Sequence, residues 1–182
     1  MLIPMLNVTL LSGSGGMGKS LLVLQLAACV ALGLAWLGLP VITGPVIYFS
    51  AEDDLDEIHR RLIDFCNSMG VELSSLTNVH IICRAGEDAV LASPGPNGLL
   101  QVTPIYEELE QLCAKLKPVL LVLDTLADLF GGDENNRSQA RQFTGKLRHL
   151  AIKYECAVVL LSHPSLSGVA SGSGLSESQW RS

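Results

Sequence analysis

Residues 13–20 read Gly13-Ser14-Gly15-Gly16-Met17-Gly18-Lys19-Ser20, and they follow the spacing GxxxxGK[ST]. An apolar β-rich run, VTLL, stands directly before this stretch, and a long apolar segment follows it. Glycines let a backbone turn point successive N–H groups at an anion, and the start of a helix adds a positive partial charge. The stretch therefore predicts a phosphate-binding loop between the first strand and the first helix. We expect Lys19 to reach the β- and γ-phosphates of a nucleotide and the Ser20 hydroxyl to bind Mg²⁺.

The rest of the chain alternates short apolar runs with segments of helical periodicity, which predicts an α/β fold with a mostly parallel sheet flanked by helices. The runs VIYF, VLLVL and AVVLL are continuously apolar, as in strands that are buried on both faces. We predict strands near 8–11, 46–50, 79–83, 119–124 and 157–162. We predict helices near 19–33, 54–69, 104–116 and 138–154, and a surface loop over the Gly- and Pro-rich residues 84–103.

In the second helix, a buried stripe is predicted from the spacing of five apolar residues, Leu55, Ile58, Leu62, Phe65 and Met69. The uncharged residues 21–42 are long enough to cross a membrane. However, they contain Gln25 and Pro40 and follow a loop that must work in water, so we expect a buried helix and no membrane partner.

The five cysteines are widely spaced, without a CxxC pair, which predicts reduced, buried thiols and a cytoplasmic protein.

The length of 182 residues predicts one domain over 1–182, with the Ser- and Gly-rich residues 163–182 as a flexible loop or truncated tail. Apolar residues make up 48% and charged residues 16%, which excludes a disordered chain. The net charge of -6 excludes a uniformly basic nucleic-acid-binding surface but leaves room for a local basic patch. Such a patch could form from Arg137, Arg141 and Arg148, which share one face of the last helix. That face is either solvated or a contact for a neighbouring subunit or a nucleic acid backbone.

Several polar residues stand where predicted strands end. Asp124 closes PVLLVLD, where an acid could hold Mg²⁺ through its water shell; the alternative is a turn or a helix N-cap. Glu52 follows VIYFS and is our candidate catalytic base, with Asp53 and a purely structural role as alternatives. His163 follows the last strand and is either a sensor of the γ-phosphate or a structural histidine.

The segments SGSGGMGKS, YFSAEDD, IHRRL, LVLDTLADLFGGDENN and LLSHPS occur in this order across nearly the whole chain. Together they resemble the RepA-type branch of the RecA-like P-loop ATPases, a group of hexameric replicative helicases often labelled AAA family ATPases. The resemblance implies a RecA-like fold that binds ATP and Mg²⁺, with Glu52 activating water, Asp124 as the Walker B acid and His163 in the sensor motif. It also places Arg61 at the nucleotide site, where a helix-surface arginine is the alternative interpretation.

The resemblance further implies a homo-oligomer, hexameric in the family, that acts on single-stranded DNA. Members of that family continue past the SHPS segment through a loop facing DNA and several more strands, which commonly supply an arginine finger to the neighbour. This sequence stops within the loop, so we expect a core whose C-terminal strands are missing. The competing interpretation is a regulatory or assembly module that binds ATP without translocation. A small-molecule kinase is disfavoured because no Arg-rich lid follows the core.

Overall fold

The computed structural model describes residues 2–163. In chain order the elements are β1 (Val8–Ser12), α1 (Lys19–Leu32), β2 (Val46–Ser50), α2 (Leu55–Met69), a 3₁₀ turn (Leu73–Ser75), β3 (Val79–Cys83), β4 (Ala92–Pro94), β5 (Leu100–Val102), α3 (Pro104–Leu116), β6 (Leu120–Asp124), α4 (Leu126–Leu129), α5 (Arg137–Lys153) and β7 (Ala157–Ser162). The α/β fold with a mostly parallel sheet flanked by helices is confirmed. The predicted tail over 163–182 lies outside the described residues, apart from His163.

Five strands form one parallel sheet in the order β1-β7-β6-β2-β3. Every residue of β2, β6 and β7 is buried, as the continuously apolar runs predict for central strands. The register pairs Ser12 with Ser162 and Ser50 with Asp124. Because the strands are parallel, their carboxyl ends lie along one edge of the sheet, and the polar residues that follow them are brought together there.

Helices α1 and α2 cover one face of the sheet, and α3 and α5 cover the other. Helix α1 is buried around most of its circumference, which explains why residues 21–32 carry no charge. It ends at Gly33, whose positive φ provides a left-handed cap. None of the helices within the described range is long and apolar enough to cross a membrane.

Two expectations about side-chain burial and loops are wrong. In α2, Leu55 and Met69 are 54% and 47% exposed, because they lie at the ends of the helix and beyond the sheet; Cys66 joins the buried face instead. Residues 84–103 are more than a surface loop. They include the antiparallel pair β4 and β5, whose residues Ala92 and Leu100 are buried against the α3 and α5 core. A short hairpin of this kind has too little periodicity to be recognised in a Gly- and Pro-rich sequence.

All five cysteines are free. Four are buried, namely Cys29, Cys66, Cys113 and Cys156, and Cys83 is partly buried, so the prediction of buried, reduced thiols is confirmed for the four. Burial raises the pKa of the Cys156 thiol to about 11 and that of Cys113 to about 12. These thiols are therefore neutral and act as small apolar side chains.

Candidate functional site

Five polar or charged residues are buried within residues 2–163, and all of them lie at the carboxyl edge of the sheet. They are Lys19, Ser50, Asp124, Thr125 and Ser162. Strand β7 lies between β1 and β6, so the residue after β7 stands between the loop after β1 and the acid that ends β6. A hydrogen bond from the Gly13 N–H to the Ser162 carbonyl, 3.3 Å long, joins the start of the loop to β7. Burying polar groups costs free energy of folding unless they form hydrogen bonds or bind a ligand.

The loop before α1 has the backbone geometry that its glycines predict. Gly16 and Gly18 have φ angles of 74° and 78°, which side-chain-bearing residues rarely adopt. Gly18 is the N-cap of α1 and offers no side-chain hydrogen bond to the first turn, which also contains no acidic residue. The other three helices longer than ten residues are capped by the side chains of Asp54, Thr103 and Asn136. The first N–H groups of α1 therefore remain available to an external acceptor such as phosphate.

The Lys19 side chain folds back over this loop. Its Nζ donates hydrogen bonds to the carbonyl oxygens of Gly13 and Ser14, over 2.6 Å and 3.0 Å. The same Nζ lies 3.2 Å from Nδ1 of His163. The ammonium group is thus held at the centre of the loop, in contact with both the loop backbone and the residue that follows β7.

His163 connects Lys19 with Glu52. Because an ammonium group can only donate, Nδ1 of His163 accepts from Lys19, and Nε2 carries the ring proton. Nε2 lies 3.3 Å from Oε2 of Glu52, so the imidazole donates to this carboxylate. The structure therefore brings three of the residues that the sequence predicts for the site into one hydrogen-bonded series.

The two neighbouring acids after β2 have different surroundings. Asp53 accepts from both terminal nitrogens of Arg61, while Arg61 Nε donates to Glu57 over 2.7 Å. The Asp53 backbone is also fixed, because its N–H donates to the Ser50 hydroxyl and its carbonyl accepts from it. The Glu52 side chain is 46% exposed, and its one hydrogen bond within residues 2–163 joins Oε2 to Nε2 of His163 over 3.3 Å. Of the two carboxylates, Glu52 is the more exposed, at 46% against 20% for Asp53, and it is the one without an arginine partner.

Asp124 ends β6 and has no exposed surface. Its Oδ2 accepts a hydrogen bond from the Tyr48 hydroxyl over 2.9 Å, and its Oδ1 has no hydrogen-bond partner among the described residues. Burial raises the pKa of Asp124, while the hydroxyl groups of Ser20 and Tyr48 act in the opposite direction. Burial also raises the pKa of Tyr48, assisted by the Asp124 charge, so this phenol stays a donor. The peptide bond between Asp124 and Thr125 is cis.

The unpaired Oδ1 is the observation that tests whether Mg²⁺ fits. A buried carboxylate oxygen without a donor costs free energy, and a cation or its bound water would satisfy it. Within residues 2–163 no cluster of three or more His, Cys, Asp or Glu could hold a metal ion alone. Mg²⁺ commonly uses one or two carboxylates and completes its shell with water and substrate phosphates. Ser20 and Asp124 fit that kind of site.

Lys19, Ser20, Glu52 and His163 line a pocket of about 310 Å³, and Asp124 is not part of its lining. Its floor is formed by the loop and the start of α1, and its walls by Glu52, Asp53, Arg60, Arg61 and His163. Arg61 therefore lines the pocket as the resemblance implies, although its guanidinium is already paired with two carboxylates. The arrangement combines anion-binding N–H groups, a lysine, a cation-binding acid and an exposed carboxylate beside a histidine.

Sequence reasoning did not identify Tyr48 as part of the site. The signal that could have indicated it is a phenol within the otherwise apolar strand VIYF, since buried tyrosine hydroxyls need a partner. Thr125, whose hydroxyl donates to Asp128 Oδ2 over 3.0 Å, was also not anticipated.

A comparison with protein families agrees with this geometry. A family model described as an AAA domain matches residues 1–168, which is most of the chain. A glycine-rich loop before a buried helix, next to a parallel sheet with an acid at a central strand end, is the arrangement expected of a P-loop nucleotide-binding domain. The chain belongs to the AAA domain family of nucleotide-binding ATPase domains.

Proposed function

We propose that this chain binds ATP together with Mg²⁺ and hydrolyses it. The observation that carries the proposal is the convergence of the uncapped α1 N-terminus, Lys19 and the unpaired Oδ1 of Asp124 at one edge of the sheet. Each of these groups lacks what a Mg²⁺-nucleotide would supply: an anion for the N–H groups and for Lys19, and a cation for Asp124. The preference for adenine comes from the resemblance to the RepA-type group.

In this proposal the backbone N–H groups of residues 14–18 and the Lys19 side chain hold the phosphates, while the Gly13 N–H stays bonded to Ser162. Lys19 Nζ exchanges its contacts with the Gly13 and Ser14 carbonyls and with His163 for phosphate oxygens. Ser20 and Asp124 hold Mg²⁺, which when bound offsets charge on the phosphates. Because Asp124 is fully buried and does not line the pocket, its contact with a cation is expected through water.

Glu52 is the candidate base. Its carboxylate is exposed to the pocket, and it is close enough to His163 for its orientation to depend on that ring. We propose that it orients and polarises the attacking water, while Asp53 stays engaged with Arg61. His163 contacts both Lys19 and Glu52. When Lys19 moves to a phosphate, the His163 ring loses one contact, and this change is passed to the orientation of Glu52.

At a finer level, we propose that the parent assembly is a homo-oligomeric ring acting on single-stranded DNA, as in RepA-type replicative helicases. Two observations support it: the ordered motifs quoted above, and the exposed arginines on α5, which have no ion pair within residues 2–163. The second candidate is a regulatory or assembly module. It is favoured by the hydrogen bonds that link Lys19, His163 and Glu52 to one another in the absence of nucleotide.

The test is Mg²⁺-ATP turnover with and without single-stranded DNA, measured beside nucleotide binding and with Glu52→Gln as the control. Turnover that DNA stimulates supports the helicase-like proposal. Binding without turnover favours the regulatory module, and failure to bind Mg²⁺-ATP contradicts both.

A further inference from the structure

Tyr48 occupies an unusual position in the middle of β2. Its side chain is 1% exposed and packs in the core formed by α1 and the sheet. Its hydroxyl donates to Oδ2 of Asp124 over 2.9 Å and lies 3.4 Å from the carbonyl oxygen of Ser20. One phenol therefore touches the two residues that are expected to hold Mg²⁺, one on β6 and one in the first turn of α1.

The direction of this contact matters for Asp124. A carboxylate can rotate about its last bond, and both of its oxygens are equivalent until one of them is held. With Oδ2 fixed by the Tyr48 hydroxyl, Oδ1 is the oxygen left without a partner. A phenylalanine would fill the same volume in β2 but would leave both oxygens buried without this donor.

We propose that Tyr48 is a positioning residue for the Mg²⁺ site, which orients Asp124 by holding its Oδ2. This inference rests on the proposed nucleotide-binding function. Hydrogen-bond partners that orient metal ligands commonly change metal affinity by about 10- to 100-fold when they are removed. We therefore expect Tyr48→Phe to weaken the apparent Mg²⁺ affinity of the nucleotide-bound protein by about tenfold or more.

Tyr106 offers a matched control. It is also buried, at 5% exposure, and its hydroxyl donates to the backbone carbonyl of Lys146 over 3.0 Å, on the opposite face of the sheet. Tyr106→Phe thus removes the same chemical group from a similar environment without touching the site. Any general effect of losing a buried hydroxyl should appear in both variants.

The experiment titrates Mg²⁺ into the full chain with a fluorescent ATP analogue and records nucleotide binding. Thermal unfolding and analogue binding in EDTA are measured in parallel. The expected result is that Tyr48→Phe alone needs a higher Mg²⁺ concentration for half-maximal nucleotide binding. Binding of the analogue in EDTA should be the same as in the wild type. Equal Mg²⁺ affinities for Tyr48→Phe and Tyr106→Phe would overturn the proposal. A wild-type chain that binds no nucleotide would instead contradict the proposed function.

A second variant pair tests whether Tyr48 acts through the Asp124 carboxylate. Asp124→Asn alone should weaken Mg²⁺ binding, and adding Tyr48→Phe to Asp124→Asn should cause no further loss, because Tyr48 acts through the carboxylate. A further loss in the double variant would show that Tyr48 does not act through Asp124 and would overturn the proposal.

Discussion

Nζ of Lys19 lies 3.2 Å from Nδ1 of His163, although 144 residues separate them in the chain. The proximity arises because β7, the last strand within residues 2–163, lies directly beside β1. The residue that follows β7 is thereby placed against the glycine-rich loop that follows β1. If a nucleotide draws Lys19 away, His163 loses the hydrogen bond from its ammonium group while it is still in reach of Glu52.

Lys19 is expected to be essential for nucleotide binding, because its ammonium is the buried cation of the loop. Lys19→Ala should abolish or nearly abolish binding of a fluorescent ATP analogue. Lys115→Ala, at an exposed position near the end of α3, is the control and should bind like the wild type. Unfolding curves for both variants show whether the loss reflects the fold. Normal binding by a folded Lys19→Ala chain contradicts the proposed phosphate contact.

Glu52 and Asp53 can be separated by a pair of isosteric changes. Glu52→Gln should keep ATP binding and lower turnover by about 10² to 10⁴, the range for removing a general base. Asp53→Asn should mainly weaken the ion pair with Arg61, and so reduce stability more than turnover. Steady-state phosphate release and binding titrations measure both. Unchanged turnover in Glu52→Gln would remove Glu52 from this role, and a larger loss in Asp53→Asn would favour its neighbour.

His163 should distinguish a triphosphate from a diphosphate if it is a sensor. His163→Ala is expected to leave ADP binding near the wild-type level and to reduce ATP turnover, because the link between Lys19 and Glu52 is removed. His149→Ala, on the exposed side of α5, is the matched change. Equal losses of ADP and ATP binding in His163→Ala would indicate a structural histidine.

The basic face of α5 consists of Arg137, Arg141 and Arg148, all exposed. The other arginines in the described chain, Arg60, Arg61 and Arg84, are each held in ion pairs. If the α5 face binds a nucleic acid backbone, replacing its arginines should weaken oligothymidylate binding. The slope of affinity against salt should also fall by about one for each phosphate that an arginine no longer neutralises. Fluorescence anisotropy across a salt series measures this.

The control for the α5 arginines is Lys115→Ala, which removes one exposed charge from another helix. ATP binding without DNA should not change in either variant. An unchanged salt slope after all three α5 arginines are replaced by alanine would identify this surface as a solvated face, or as a contact for another protein.

Glu57 predicts a pH dependence of stability. Hydrogen bonds from Arg60, together with those from Arg61, lower the pKa of Glu57 to about 2 from 4.5. A carboxyl group whose pKa is lower in the folded state stabilises the fold above its unfolded pKa, and that contribution is lost as the pH falls toward about 2. Glu57→Gln should therefore unfold at a slightly lower temperature than the wild type at pH 7.

The same difference in unfolding temperature should shrink as the pH is lowered through this range. Glu72→Gln, at an exposed position before the 3₁₀ turn, tests for a general effect of losing one carboxylate. A difference for Glu57→Gln that is constant from pH 7 to low pH would show that the arginine contacts do not stabilise the fold.

Local patterns were enough to predict the main elements. The glycine-rich loop, five strands and four long helices follow from glycine placement, apolar runs and helical spacing, which depend on neighbours within one element. The helix over residues 137–153 was predicted within one residue at each end. The β4 and β5 hairpin was missed because it is stabilised by packing against α3 and α5, and its own residues show too little alternation of apolar and polar side chains to indicate strands.

The sequence by itself determined that the chain has a parallel α/β core with a glycine-rich loop after the first strand and acids at the ends of two strands. Only the tertiary structure decided which of those residues meet. Strand order placed His163 between Lys19 and Glu52, and register placed Tyr48 of β2 within reach of Asp124 on β6. It also paired Asp53 with Arg61 and left Glu52 accessible. The physical reason is that contacts across strands depend on sheet order and register, which no single element encodes.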